Sequence, residues 1–300
     1  MKRARLIYNP SSGREQIRKS LAYILERLEK TGYETSAHAT TGEGCATRAA
    51  KKAGEIGYDL VIAAGGDGTI FEVVNGLAAL EKRPKLGIIP AGTTNDFARA
   101  LRIPRDIERA CDILCGEHFE LIDIGRVNDR YFVNIAAGGS LTELTYEVPS
   151  KMKTAVGQLA YYIKGLEKLP QVSPQMVQIE YDGKLFEGEI MMFLVSNTNS
   201  VGGFERLAPN ASLQDGMFDF IIVKKLSFPE FLHLATLALR GEHINHPKVM
   251  YVHANRIKVQ VKGDMQLNLD GEYGGVLPAE FVNMYQHFQM LTPKDRKQRR

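Results

Sequence analysis

In its first hundred residues the chain alternates short apolar runs with stretches that are apolar every three or four positions. Arg5 to Asn9, Tyr33 to Ala39, Tyr58 to Ala64 and Lys85 to Ile89 have the length and content of strands. Between them, Arg14 to Lys30 puts Ile17, Leu21, Ile24, Leu25 and Leu28 on one helical face. Gly44 to Ile56 is alanine-rich, and Ile70 to Leu77 again has helical spacing. Strand and helix in alternation predict a mostly parallel sheet with right-handed crossovers, whose ligands collect at the carboxyl ends of the strands. After Arg109 the texture changes. His118 to Val127, Arg130 to Ala137, Val177 to Tyr181, Lys184 to Ser196, Met217 to Val223, Ile257 to Val261 and Met265 to Leu269 read as consecutive short strands, with tight turns such as Asp182-Gly183. That run predicts an antiparallel β-sandwich, interrupted by helices over Ala155 to Leu169 and Phe228 to Arg240. The expected organisation is an α/β domain over 1–124, a β-sandwich domain over 125–290 and a basic tail over 291–300.

Each predicted parallel strand runs into a loop of small or hydrogen-bonding residues. The loops are Asn9-Pro10-Ser11-Ser12-Gly13, Thr40-Thr41-Gly42, Gly65-Gly66-Asp67-Gly68-Thr69 and Pro90-Ala91-Gly92-Thr93-Thr94-Asn95-Asp96. All four follow strands, so all four should face one edge of the sheet. A strand that turns through glycines into a helix brings backbone N–H groups around a phosphate. Glycine admits the anion to the backbone and tolerates φ > 0. Asp67 does not fit that cradle as an anion ligand. A carboxylate beside a polyphosphate needs a cation between them, so Asp67 points to Mg2+ or to proton transfer. Asp96 is a second carboxylate near the same place, with a helix N-cap as its alternative reading.

Composition narrows the class more than the chemistry. Three hundred residues with 44% hydrophobic and 24% charged content suit a soluble protein with two cores. A net charge of +3 does not call for nucleic acid, and none is expected as a partner; it is compatible with phosphates or an anionic lipid surface. Cys45, Cys111 and Cys115 make neither a disulfide framework nor a CxxC pair, and read as small side chains, Cys111 and Cys115 one helical turn apart. The N-terminal apolar run is too short for a signal peptide, and no stretch approaches the roughly 20 apolar residues that span a bilayer. A cytoplasmic location with peripheral membrane contact is expected.

Gly65-Gly66-Asp67-Gly68-Thr69 with Glu72-Val73 resembles the signature of the soluble lipid kinases, a family that includes bacterial diacylglycerol kinases and the sphingosine and ceramide kinases. Pro90 to Arg99 resembles the family's second motif and Asn9 to Gly13 its first nucleotide loop, while Phe71 stands where many relatives have asparagine. The resemblance implies a nucleotide domain of the NAD-kinase/phosphofructokinase type followed by the sandwich. It implies ATP and Mg2+ as cofactors, and diacylglycerol, taken from the inner face of an anionic membrane, as the substrate converted to phosphatidic acid. A homodimer is one assembly it allows. Nucleotide contacts fall on Asn9, Pro10, Ser11, Ser12, Gly13, Thr40, Gly65, Gly66, Asp67, Gly68, Thr69 and Thr93, and chemistry on Asp67, Asp96 and Glu272.

Three features of the second half carry possible chemistry. Asp270-Gly271-Glu272 alone reads as a tight hairpin turn with solvated acids. The resemblance makes Glu272 the general base toward the lipid hydroxyl. It also makes Asp215, with the main-chain oxygens of Leu213 and Met217, the holder of a structural Mg2+; without it, Asp215-Gly216 is a turn. Gln158 to Lys168 mixes aromatics with lysines, which suits a core helix or a helix lying on a bilayer with Lys164 toward anionic lipid. His243, His246 and His253 lack the carboxylate or cysteine that would complete a metal set. Two other classes stay open: a kinase of NAD or a sphingoid base, and a nucleotide- or lipid-binding module without turnover.

Overall fold

The computed structural model describes residues 1–140, 173–199 and 206–294. The helix expected over 155–169, with Lys164, and the end of the basic tail, 295–300, lie outside the described residues. The chain forms two units: Met1–Ile124 joined by the segment from Tyr285 onward, and Gly125–Met284.

In the first unit the strands are β1 (Lys2–Tyr8), β2 (Tyr33–Ala39), β3 (Leu60–Gly65) and β4 (Lys85–Pro90), all parallel in the order β4-β3-β1-β2. β3 lies at the centre and all six of its residues are buried, which is why it reads as a continuous apolar run. The helices are α1 (Gln16–Lys19), α2 (Leu21–Lys30), α3 (Cys45–Glu55), α4 (Asp67–Leu77), α5 (Asp96–Ala100) and α6 (Ile107–Leu114). The alanines of α3 have a packing reason. A Cβ on Gly76 of α4 would lie 2.3 Å from the Thr47 carbonyl oxygen and 2.9 Å from Ala50 Cβ, so the two helices touch through small residues. The single helix expected from Arg14 to Lys30 is two. Arg14 and Glu15 are left-handed (φ 56° and 65°), and the chain turns again at Ser20 (φ −99°, ψ 7°). Ile17, Ile24 and Leu28 are still buried, because a kink in a one-faced pattern leaves its spacing readable.

The second unit is antiparallel. β5 (Phe119–Val127) leads into it, followed by β6 (Arg130–Phe132), β7 (Ile135–Gly138), β8 (Gln175–Tyr181), β9 (Lys184–Ser196) and β10 (Phe218–Lys224). After α7 (Phe228–Arg240) come β11 (Val249–Ala254), β12 (Arg256–Val261), β13 (Gln266–Leu269), β14 (Glu272–Val276) and β15 (Ala279–Leu291). The long β9 is shared: its first half pairs with β8, and its second half lies between β7 and β10. Phe193 on β9 meets Phe220 at 6.2 Å and Phe281 at 5.8 Å, both edge-on, and Phe132 stacks on Phe218 at 5.6 Å. These five rings are fully buried and form the sandwich core.

Four strands differ from the sequence reading. The expected strand 130–137 breaks at Val133-Asn134, β11 was passed over although it is mostly apolar, and β14 and β15 carry too many polar or glycine positions to declare themselves. β15 begins beside β12, with Val282 opposite Arg256, and ends in the first unit, with Met290 parallel to Leu86 of β4. Residues 285–290, expected with the sandwich, therefore belong to the first unit, and Leu291 and Thr292, expected to open a solvated tail, are each only 2% exposed.

Candidate active site

The loops that leave β1, β3 and β4 are tied to one another by backbone groups. Asn9 N–H donates to the Ala64 carbonyl (3.0 Å) and Ala91 N–H to the Gly65 carbonyl (2.8 Å), while Thr40 N–H donates to Tyr8 (2.9 Å). The Asn9 side chain accepts from Ser11 N–H (3.0 Å) and the Ser11 hydroxyl (2.8 Å), so it shapes its own turn. Ser11, Gly13, Gly68 and Thr93 are exposed, Asn9, Pro10, Ser12, Thr40, Gly66, Asp67 and Thr69 are half-buried, and Gly65 is buried.

The glycine-rich stretch is shorter as a loop than the sequence implies. Gly66 is the extended N-cap (φ −86°, ψ −176°), and Asp67, Gly68 and Thr69 already form the first turn of the eleven-residue α4. Thr69 N–H returns to the Gly66 carbonyl (3.0 Å), leaving the amides of Asp67 and Gly68 as the helix-end donors without an intrahelical partner. Neither Gly65, Gly66, Gly68 nor Gly92 has a positive φ; of this group of loops only Gly13 does, at 58°. The expectation that these glycines relieve backbone strain is corrected by packing. A Cβ on Gly65 would meet Thr69 Oγ1 at 2.5 Å, and one on Gly92 would meet Gly66 Cα at 2.6 Å.

Asp67 sits where the β3 and β4 loops meet. Its Oδ2 accepts from the Thr94 hydroxyl and from Asn95 N–H, both at 2.8 Å, whereas its Oδ1 is buried with no hydrogen-bond partner. Asp96 is 7% exposed and lies 3.8 Å from Arg99 Nη1. It is the first residue of α5 and not its cap; Asn95 holds the N-cap position in left-handed geometry (φ 52°, ψ 51°). Arg99 and Arg105 donate to the carbonyls of Thr94 (2.9 and 3.1 Å), and Arg105 also to that of Thr93 (2.6 Å), which fixes the loop from outside.

The sequence reading passed over Asn95, Gly92, Arg105 and Glu72 as site-forming residues. Glu72 projects from α4 and accepts from Gly44 N–H (3.0 Å) and Ala46 N–H (2.8 Å), capping α3 and tying the segment after Thr40 to the glycine-rich helix. A glutamate one turn into α4, opposite an alanine-rich helix without its own capping side chain, was the available signal. For Asn95 the signal was its residue type, since asparagine tolerates the left-handed region.

In the second unit, Asp270-Gly271 is a two-residue hairpin loop with both residues at positive φ (52° and 95°), joining β13 to β14 with Leu269 opposite Glu272. Asp270 is not a solvated acid. Its carboxylate accepts from the backbone N–H groups of Val133 (2.7 Å), Asn134 (2.8 Å) and Ile135 (2.9 Å), closing the break between β6 and β7. Glu272 is exposed at the start of β14. Asp215 is also exposed and accepts from Met217 N–H (3.0 Å); the Met217 carbonyl accepts from Asn283 (3.2 Å). Burial pushes the nearby Asp219 carboxyl up, and Asp215 adds to the push, while the Tyr251 hydroxyl and His253 oppose it. Among the described residues no group of three or more His, Cys, Asp or Glu is arranged to hold a metal. His243 is buried and bonded to the Leu207 carbonyl (2.9 Å).

Known proteins share this architecture from end to end. Residues 3–127 match the family model described as the diacylglycerol kinase catalytic domain, and residues 142–292 match that of the YegS C-terminal NAD kinase beta sandwich-like domain. A diacylglycerol kinase of Bacillus subtilis (strain 168) is 64% identical over 297 residues, covering 99% of this chain and 98% of that protein. One of Staphylococcus epidermidis (strain ATCC 12228 / FDA PCI 1200) is 56% identical over 294 residues, covering 98% and 93%. The crystal structure of a candidate diacylglycerol kinase from Bacillus anthracis str. Sterne superposes with a TM-score of 0.84 at 30% identity, over 98% of this chain and 96% of that one. With both halves of the architecture matched, and with identity above half over nearly every residue, the chain belongs to the diacylglycerol kinase family.

Proposed function

We propose that this protein transfers the γ-phosphoryl group of ATP, with Mg2+, to the free hydroxyl of diacylglycerol and so makes phosphatidic acid. One observation supports this reading above the others. The loops that leave β3 and β4 meet at Asp67, which spends one carboxylate oxygen on holding them together and keeps the other buried without a hydrogen bond. A simple phosphate-binding loop has no use for that second oxygen. A divalent cation would give it one, since Mg2+ is commonly held by one or two carboxylates together with substrate phosphates and water. Held by Asp67, the ion would supply charge neutralisation for the phosphoryl oxygens. Asp96, beside Arg99, is the second acid of the set.

The other roles follow from position. The leading amides of α4 hold the phosphates, and the Asn9 to Gly13 turn, Thr40 and Thr93 form the rim. Glu272, exposed on its hairpin, accepts the proton of the lipid hydroxyl as that oxygen attacks. Asp215 with the carbonyl oxygens of Leu213 and Met217 offers three hard donors in five residues, suited to a structural Mg2+. Among the described residues no helix is long and apolar enough to cross a membrane; peripheral contact with an anionic membrane surface is the route to the lipid in this reading.

The deciding assay is transfer of label from ATP to dioleoylglycerol in mixed micelles, with sphingosine and NAD run in parallel. Label in phosphatidic acid alone is the expected result, and label only in another acceptor refutes the substrate. Glu272→Gln should abolish transfer while nucleotide binding survives; normal turnover in that variant removes Glu272 from the mechanism.

A further inference from the structure

Resting on the function proposed above, we infer that Asn95 is a positioning residue for the phosphoryl-transfer site: it fixes the rotation of the Asp67 carboxylate, so that Oδ2 is committed to the protein and Oδ1 is kept clear of protein donors.

The side chain and N–H of Asn95 make three hydrogen bonds at one corner of the structure, besides the helical bond that its carbonyl accepts from Arg99 N–H (2.9 Å). Its Oδ1 accepts from Gly92 N–H (2.7 Å), its Nδ2 donates to the Gly92 carbonyl (2.8 Å), and its own backbone N–H donates to Asp67 Oδ2 (2.8 Å). The first two close the Gly92 to Asn95 turn on itself. The third delivers that closed turn to Asp67. Left-handed geometry at Asn95 (φ 52°) lets its side chain fold back to Gly92 while its N–H faces away toward Asp67. Asn95 is only 2% exposed, so no water competes for these bonds.

Residue type matters because the clamp needs one acceptor and one donor on the same short amide. Aspartate supplies only acceptors, and alanine supplies neither and resists the left-handed region. The surrounding packing makes the arrangement stiff. Gly66 and Gly92 lie so close that a Cβ on Gly92 would also fall 2.8 Å from Asn95 Oδ1. With Thr94 as the second donor to Oδ2, the carboxylate of Asp67 has one rotation that keeps both bonds. Loss of the clamp frees the turn and with it the carboxylate.

Two variants test this. Asn95→Gly keeps left-handed geometry and the N–H to Asp67 but removes both side-chain bonds; Asn95→Asp keeps the shape and one of the two, and covers the case in which the glycine variant fails to fold. The probes are binding of a fluorescent, non-hydrolysable ATP analogue as Mg2+ is titrated, steady-state kinetics with dioleoylglycerol, and the thermal midpoint. Expected for Asn95→Gly are a fall in kcat of about 10–100-fold, the scale of a catalytic group displaced by about 1 Å, an unchanged KM for the lipid, and a raised Mg2+ requirement for binding the analogue. Asn95→Asp should fall between it and the wild type. Because Asn95 acts through Asp67, its substitution should add nothing to nucleotide binding in an Asp67→Asn background. A full additional loss there, or an unchanged Mg2+ requirement, overturns the inference. Wild-type protein that binds the analogue with Mg2+ but phosphorylates no lipid refutes the proposed substrate and leaves the binding comparison to decide Asn95. Wild-type protein that binds no nucleotide overturns both.

Discussion

Adding one methyl group at Gly92 should do more damage than adding one at Gly66, although the two glycines touch each other. A Cβ built on Gly92 lies 2.6 Å from Gly66 Cα and 2.8 Å from Asn95 Oδ1, whereas a Cβ built on Gly66 lies 3.3 Å from Gly92 Cα. Against an ordinary contact of 3.4 Å, the first is short by roughly 0.8 Å and the second by roughly 0.1 Å. Neither position has a positive φ, so strain at the substituted residue itself does not enter. Forcing a methyl into a packed contact costs about 1–3 kcal/mol, and the narrower unfolded ensemble of alanine returns about 0.4–1 kcal/mol. Gly92→Ala should therefore lose about 1–2 kcal/mol, a fall in Tm of about 2–8 °C, while Gly66→Ala should be close to neutral. Scanning calorimetry gives the stability and a fluorescent ATP analogue gives the affinity, which for Gly92→Ala should weaken more than stability alone explains. Equal Tm values for the two variants, or the reverse ranking, would refute the view that loop contact, and not backbone conformation, is why glycine stands at these positions.

Two further outcomes follow from half-buried Asp270 and buried His243 in the second unit. Asp270→Ala removes the acceptor of three backbone amides and leaves alanine at φ 52°, so urea denaturation should show a loss of about 3–4 kcal/mol; Asp270→Asn, which keeps one acceptor and tolerates the geometry, should lose about half of that. Burial pushes the His243 imidazole below its ordinary value of 6.5, with the bond to Leu207 a smaller opposing effect, and an N–H formed at the buried Nδ1 would find no acceptor. The unfolded chain therefore takes up that proton first, and this histidine should cost stability as pH falls from about 6.5, with no contribution above it. Comparing His243→Gln with the wild type at pH 7.5 and 5.5 should show the wild type losing more stability on acidification; parallel losses would refute it.

The elements that could be read from the sequence are those whose burial is one-sided or complete. β3 is buried at every residue and α2 shows its buried face as Ile24 and Leu28, so apolar spacing found both. β15 escaped because it serves two neighbours in turn: Asn283 bonds to the Met217 carbonyl, Gln286 N–H to Asp123, and its final residues pair with β4, so no single period runs through it. The loops at the ends of β1, β3 and β4 were legible from residue type alone. What was not legible was the tertiary reason for each glycine, because a contact such as Gly66 with Gly92 joins two loops that local periodicity treats separately.

Carboxylates in turns are the least legible feature, since the same Asp-Gly pair serves structure or chemistry. Their hydrogen bonds separate the two uses. Asp182 and Asp270 both sit left-handed at the first position of two-residue hairpin loops, and both give their oxygens to backbone amides of a neighbouring segment: Asn255 and Arg256 at 3.0 Å in one case, Val133, Asn134 and Ile135 in the other. Glu72 does the same for the start of α3 with both of its oxygens. These acids have their charge compensated by amides and need no ligand to account for their place in the turn or helix. Asp67 departs from the pattern, with two donors on Oδ2 and none on a buried Oδ1. Leaving an ionised oxygen without a donor is costly in a folded protein unless something binds it. The imbalance between its two oxygens, more than its presence in a glycine-rich motif, is what separates Asp67 from the acids whose oxygens are all taken up by backbone amides.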